Sequence, residues 1–270
     1  MKRRAFSLIE LLVVVGIIAL LISIAVPSLA RARSVAKRTT CLTHARGLSH
    51  SMLLYASDWE SLVPPYWITV TSGDMAYTNV WAVPLSPYGN SEKLRQCPET
   101  SGNGARELLG GQSFGTSTTA WSEFYAGTNV QTSAACTGSF AINGWFSAGG
   151  LTDEDSNLTD NDDADAPFSS PLPSMSRLLA WARSTQNVPA FADAVWSDAR
   201  PNPYDRPPPN LYTGPFDPMY QMERVCIARH RKTVNVSFVD GHAENTPLQQ
   251  LWALNWKPGW KPPDPLPKMP

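Results

Sequence analysis

Residues 6–26, F-S-L-I-E-L-L-V-V-V-G-I-I-A-L-L-I-S-I-A-V, decide the architecture of this 270-residue chain. They form an apolar run with one charged member, Glu10. About 20 apolar residues in a helix cross the hydrocarbon core of a bilayer, so the run has the length of a membrane span. A carboxylate near the centre of such a helix costs about 2.5–3.5 kcal/mol, and Glu10 therefore demands a counter-charge. A secretory leader is cut after its apolar stretch, with small residues one and three positions before the cut; the sequence around Val26 and Pro27 suits this poorly. A cut between Ala5 and Phe6 instead removes only M-K-R-R-A and leaves a positive amine on Phe6. Within one helix that amine lies about a turn from Glu10, whereas between helices staggered along their axes it can reach the carboxylate of a neighbour. The two charges imply assembly. Loop charge does not orient the span, because Lys2, Arg3 and Arg4 on one flank face Arg31, Arg33, Lys37 and Arg38 on the other.

The stretch K-R-R-A-F-S-L-I-E-L-L-V-V-V resembles the class III leader and first helix of type IV pilins and type II secretion pseudopilins. The resemblance implies that a prepilin peptidase cuts before Phe6 and N-methylates it, and that Glu10 sets each subunit's register in a helical filament. Ala5 stands where that family prefers Gly. The bland alternative, a plain signal anchor, gains nothing from burying Glu10. The resemblance, with the cysteine usage, places the anchor in the inner membrane and the carboxyl-terminal bulk in the periplasm or on a filament at the cell surface. It implies membrane lipid, other pilin or pseudopilin subunits and an inner-membrane assembly machinery as partners.

The remaining ~240 residues suffice for one domain with a real core. A 43% hydrophobic content with ten Trp argues against disorder, and 24 Pro with 17 Gly argue for a loop-rich, strand-biased head over a helical bundle. Removing Lys2, Arg3 and Arg4 from 22 basic side chains leaves 19 against 23 acidic, so no nucleic-acid partner is expected. Pro27 should bend or loosen the helix just beyond the span. From Leu29 on, Ala32, Ala36, Leu42, Ala45, Leu48, Met52 and Tyr55 recur at steps of three and four, predicting an amphipathic stem that lies on the head and ends near Asp58 to Pro65. The predicted fold class is α+β: a leader (1–5), a pilin-type helix (6–57, with 6–26 in the membrane), a β-rich head (58–260) and a Pro-rich tail (261–270), extended and mobile over its last ten residues.

The stretch C-L-T-H-A-R-G-L-S-H-S-M-L-L-Y-A-S-D-W-E-S-L-V-P-P, together with L-R-Q-C-P around Cys97, A-I-N-G-W around Asn143, F-A-D-A around Asp193 and L-W-A-L-N-W after Leu251, narrows the resemblance to a pilin-like subgroup with a carboxyl-terminal H-x9-DG motif. That motif is His230, nine residues, then Asp240 and Gly241. Read physically it is a hairpin: Val234, Val236 and Phe238 alternate with Asn235, Ser237 and Val239 as a half-buried strand, and Asp240-Gly241 suits a tight turn. Two roles are open for His230, a structural hydrogen bond to a neighbouring strand or loop, or a metal site with Asp240 and His242.

Cys41, Cys97, Cys136 and Cys226 are too dispersed for a CxxC metal site. In an exported head an even number allows two disulfides with three connectivities, and buried thiols are the alternative. The subgroup resemblance favours pairing Cys41 with Cys97, which would tie helix to head. The segment T-D-E-D-S-N-L-T-D-N-D-D-A-D, 152–165, misses the spacing of an EF-hand, yet its Asp153, Asp155, Asp160 and Asp162 suit calcium. A solvated acidic loop is the other reading. Calcium is the one cofactor the sequence suggests.

No G-x-S-x-G, H-E-x-x-H or phosphate-cradling Gly-rich loop occurs; His44 and His50 lie on the stem, away from any nucleophile. The expected function is that of a non-catalytic filament subunit. The alternative is a surface-displayed binding module for polysaccharide or another cell, using Trp121, Trp145, Trp196 and Trp260 as stacking platforms.

Overall fold

The computed structural model describes residues 8–59, 63–64, 67–72, 75–101, 106–107, 113–123, 136–146, 185–213 and 220–270. Helix α1, Leu8–Asp58, runs 51 residues through Pro27 without a break, a length of about 75 Å. Ser23 and Ser28 flank the proline and donate their hydroxyls to the carbonyls of Leu20 and Ala25. The apolar half is bare: every large hydrophobic residue from Leu8 to Leu29 is exposed. Ala32 and Ala36, expected to begin the buried stripe, are exposed as well. Docking starts at Cys41 and continues through Ala45, Leu48, Ser49, Met52, Tyr55 and Ala56, a one-face pattern of three and four residue steps. Contact with the head begins about a turn earlier, where Lys37 pairs with Glu99 and Arg38 O accepts from Asn235, so the turns carrying Arg31 and Arg33 have nothing to cover.

The other elements are β1 (Trp67–Ser72), β2 (Met75–Val80), a one-turn helix α2 (Glu92–Arg95), β3 (Arg106–Glu107), β4 (Ser113–Phe114), β5 (Trp121–Glu123), β6 (Cys136–Gly138), β7 (Phe140–Asn143), β8 (Pro189–Asp193), β9 (Asp198–Ala199), β10 (Thr233–Phe238) and β11 (Ala243–Pro247). The main sheet has the order β11-β10-β8-β7-β9, antiparallel except for the β7–β9 pair, and smaller sheets join β1-β2 and β3-β4-β5-β6. A long apolar helix on a β-rich head is the α+β arrangement expected from the sequence.

The main sheet is covered on both faces, and period two sorts its side chains. Phe140, Ile142, Phe191 and Val239 join the cluster containing Cys41, Leu48, Met52, Trp81 and Trp121 under the stem. Ala141, Ala192, Val234, Val236 and Phe238 join a second cluster with Met222, Ile227, Leu251, Trp252 and Trp256. The strand β10, expected to be half-buried, is therefore buried on both faces. Asn235 and Ser237 are inaccessible to solvent because the stem lies over them; Asn235 Nδ2 donates to Arg38 O and Ser49 Oγ donates to Phe238 O.

Two further expectations are corrected by packing. The tail is not a free extension, because Leu266 and Met269 lie against the second cluster and Cys226 Sγ donates to Met269 Sδ at 3.8 Å. The Trp residues are not stacking platforms either. Trp121, Trp196 and Trp260 are buried, and Trp145 is half-buried with its Nε1 donating to Pro201 O and the Lys257 ammonium over its ring.

Candidate functional site

Two features of the molecule bear on function, the bare half of α1 and the junction where its stem meets the head. In the first, Glu10 lies in the opening turn of α1 and is exposed among apolar neighbours. Ala5 and Phe6 lie outside the described residues, as do Asp153, Asp155, Asp160 and Asp162 with the rest of the acidic segment.

The H-x9-DG segment is a hairpin. β10 pairs with β11 from Thr233↔Pro247 to Ser237↔Ala243, and Gly241 closes the turn with φ +88°, a conformation that glycine adopts without penalty. A Cβ at Gly241 would stand 3.3 Å from Leu53 Cδ1 and 3.5 Å from His50 Nε2, so the same glycine lets the turn approach the stem. Asp240 and His242 do meet, with 2.6 Å between Oδ1 and Nδ1, and the His242 ring stacks on Phe238. His230 is not with them. It sits beyond the opposite end of β10, buried, which rules out a three-residue site of His230, Asp240 and His242.

His230 instead belongs to a cluster drawn from four separate segments. Cys41 comes from the stem, Cys97 from the loop after α2, Asp193 from the end of β8, and His230 from the turn that leads into β10; their ligand atoms all lie within 4.8 Å of one another. His230 Nε2 is 3.3 Å from Cys97 Sγ and 3.3 Å from Asp193 Oδ2. Cys41 Sγ donates to Asp193 Oδ1 at 3.3 Å. The Asn235 backbone N–H also donates to Asp193 Oδ2, at 2.8 Å. Arg229 completes the set: its Nη1 is 3.2 Å from Asp193 Oδ1, and both side chains are wholly buried. The remaining guanidinium donors go to the carbonyls of Ser117, Ser139, Thr116 and Ala194.

The backbone sets His230 at some cost. Arg231 and Lys232, which follow it, are left-handed at φ 56° and 64°, where non-glycine residues are disfavoured by about 1–2 kcal/mol each. The turn is closed by His230 N donating to Thr233 O and Thr233 Oγ1 donating to His230 O.

Burial and charge act against each other in this cluster. Burial by itself would push the Asp193 carboxyl up, but the hydrogen bond from His230 and the charge of Arg229 hold it below the usual carboxylate range. Burial likewise opposes ionisation of Cys97, yet hydrogen bonds from Cys41 and His230 bring its thiol down to about 6. Cys41 goes the other way, raised by burial and then by its hydrogen bond with Cys97. Burial opposes the charged form of His230, but Asp193 and Cys97 outweigh it and raise the imidazole to about 9. The junction is thus a buried site that holds thiolate, carboxylate and imidazolium together.

Cys41, Cys97 and Cys226 are buried as free thiols, and Cys136 is half-buried at the start of β6. Cys41 and Cys97 are neighbours, whereas Cys226 lies in the second cluster. On the stem, His44 Nδ1 bonds to Gln96 O at 2.8 Å, next to Cys97, and His50 is exposed. Sequence reasoning found His230 and the two cysteines but missed Asp193 and Arg229 as their partners. The available signal was that Cys41, Cys97, Asp193 and His230 each lie in a stretch carrying the subgroup resemblance.

In comparison with known proteins, no curated protein and no solved structure matches the chain. Residues 1–26 match the family described as Prokaryotic N-terminal methylation motif. Residues 1–26 thus carry a prepilin-type leader motif running into a long apolar helix, a motif that implies processing by a prepilin peptidase and assembly with other pilin subunits.

Proposed function

We propose that this protein is a non-catalytic subunit of a type IV pilus-like or type II secretion pseudopilus filament. The observation that carries the reading is the division of α1: residues matched by the methylation motif lead into a span with none of its apolar surface buried, and the same helix then docks on a folded head. An apolar helix bare over about six turns needs either lipid or other copies of itself. In this reading it has both in succession, the inner membrane before assembly and the filament core afterwards, so its apolar surface stays out of water throughout. Cleavage before Phe6 supplies the amine that neutralises Glu10 of an adjacent subunit, and this pair sets the axial stagger. The head then faces the periplasm or the filament surface.

A sugar-binding module with a pilin anchor is disfavoured by the burial of Trp121, Trp196 and Trp260. The decisive experiment is intact mass and amino-terminal sequencing of the protein made with and without a prepilin peptidase. A mature chain starting at methylated Phe6 supports the reading; a chain still starting at Met1 in the presence of the enzyme sinks it. Glu10→Ala should insert in membranes normally and fail to enter filaments.

A further inference from the structure

We propose that Cys41, Cys97, His230 and Asp193 form a structural zinc site that staples the stem helix to the head. This rests on the junction alone and holds whether or not the chain enters a filament.

The donor set is two sulfurs, one imidazole nitrogen and one carboxylate oxygen, the ligand types of tetrahedral structural zinc. Thiolate and imidazole together favour zinc over magnesium or calcium. With Zn–S near 2.3 Å and Zn–N and Zn–O near 2.0–2.2 Å, the edges of such a tetrahedron measure about 3.3–3.8 Å. In the structure Cys97 Sγ and His230 Nε2 are 3.3 Å apart, Cys41 Sγ is 3.3 Å from Asp193 Oδ1 and His230 Nε2 is 3.3 Å from Asp193 Oδ2, the other oxygen of the carboxylate, and one ligand atom from each of the four residues lies within 4.8 Å of the rest. The donors thus converge on one point to within the small adjustment that binding requires.

Charge closes as well. Two thiolates and the Asp193 carboxylate carry three negative charges, which Zn²⁺ and the Arg229 guanidinium balance, so the buried site is neutral as a whole. Arg229 and the Asn235 amide fix the carboxylate in the manner of the outer partners that orient metal ligands. His230 presents Nε2 to the other donors, and its Nδ1 has no hydrogen-bond partner among the described residues. With a metal on Nε2, Nδ1 carries the ring's remaining proton. His230 also borders a cavity of about 30 Å³ with Ser34, Val35, Arg38 and Arg231, room for a water on the ring. The alternative staple, a Cys41–Cys97 disulfide, accounts for the sulfurs but gives no role to the convergence of His230 and Asp193 on them. Binding needs both sulfurs as thiolates and the imidazole neutral, so the two protons that the metal displaces, from the Cys41 thiol and the His230 ring, go to solvent, with no change of oxidation state.

The test uses the full chain in mild detergent, purified from cells whose thiols were alkylated on lysis in one aliquot and kept reduced in another. Zinc is measured by mass spectrometry and cobalt is then substituted for it. The expected result is about one zinc per chain and a cobalt form with near-ultraviolet thiolate charge-transfer and the intense visible bands of a tetrahedral ion. Cys97→Ser and His230→Gln should lose the metal, while Cys136→Ser keeps it. Chelation should lower the unfolding midpoint by about 8–16 °C if free zinc had stood a thousandfold above its Kd, with recovery on adding zinc back. A cobalt spectrum without thiolate bands overturns the proposal and depends on no variant. So does a Cys41–Cys97 disulfide in the alkylated aliquot, which would make the junction a covalent staple, and so does a reduced wild-type chain that binds no zinc.

Discussion

Removing Arg229 should unlock the head more than removing any surface charge. Its side chain is wholly buried against Asp193, and its guanidinium also serves the carbonyls of Ser117, Ser139, Thr116 and Ala194. In Arg229→Met the carboxylate stays buried with its cation gone, for which about 3–5 kcal/mol is typical. The carbonyls that lose donors cost about 1 kcal/mol each when counted singly, and since they share one side chain the total is not their sum. Taking about 5 kcal/mol, and about 2–4 °C per kcal/mol for a domain of this size, the midpoint falls by about 10–20 °C. Lys37→Met is the control, because Lys37 and Glu99 form a partly exposed pair at 3.4 Å, and the loss of a surface pair costs about 0–1 kcal/mol. The assay is near-ultraviolet circular dichroism of the full chain in detergent, which reports the packed Trp81, Trp121, Trp252 and Trp256 during heating. If Arg229→Met melts within about 4 °C of the wild type, or no lower than Lys37→Met, the buried ion pair does not hold the junction and the reasoning fails.

Three other outcomes are expected. Gly138→Ala places a Cβ 2.5 Å from Trp121 Cζ2, an overpacking worth about 1–3 kcal/mol that should appear as a lower urea midpoint; an unchanged midpoint would mean that the ring moves freely. Gly241→Ala and Lys232→Gly should shift stability in opposite directions, down for the first, at φ +88°, and up by about 1 kcal/mol for the second, at φ 64°; equal signs in denaturant titration would refute the backbone argument. Cys226, pushed up to about 12 by burial and then by the charge of Glu223, should resist iodoacetamide at neutral pH while the half-buried Cys136 reacts, as peptide mapping would report. Because its folded value lies above the unfolded one of about 8.5, its contribution to stability is complete below that pH and declines as pH rises toward 12. A midpoint that rose with pH in that window would contradict this account.

What could be read from the residues is what short-range physics controls. An apolar run of membrane length, a lone carboxylate within it, a three-four stripe in the stem and an Asp-Gly turn each declare themselves within a few neighbours, and α1 and the β10–β11 hairpin lie where those signals put them. The polar alternation of β10 misled because Asn235 and Ser237 lie under the stem, Asn235 donating to the stem carbonyl of Arg38 and Ser237 to the Phe191 carbonyl of the neighbouring strand β8. Polarity at those positions reflects a seam between elements, and the pattern alone does not distinguish a seam from solvent. The junction cluster is harder still. Cys41 and Asp193 are 152 residues apart, and Cys97 and His230 are 133 apart, so spacing rules built for ligands in one loop cannot find them.

The position of that cluster sets what its buried charge can do for the stem. Only one continuous element links the bare apolar half of α1 to the head, and its docked face is short, from Cys41 to Ala56. Leu48 and Met52 are wholly buried in it and contribute about 1.5–3 kcal/mol each by removal from water, an attraction that resists sliding weakly because it has no direction. Hydrogen bonds and ion pairs do have direction. Placing Cys41 against Asp193 at the first turn of the docked face, and Ser49 against Phe238 O two turns later, fixes the axial position of the helix on the sheet.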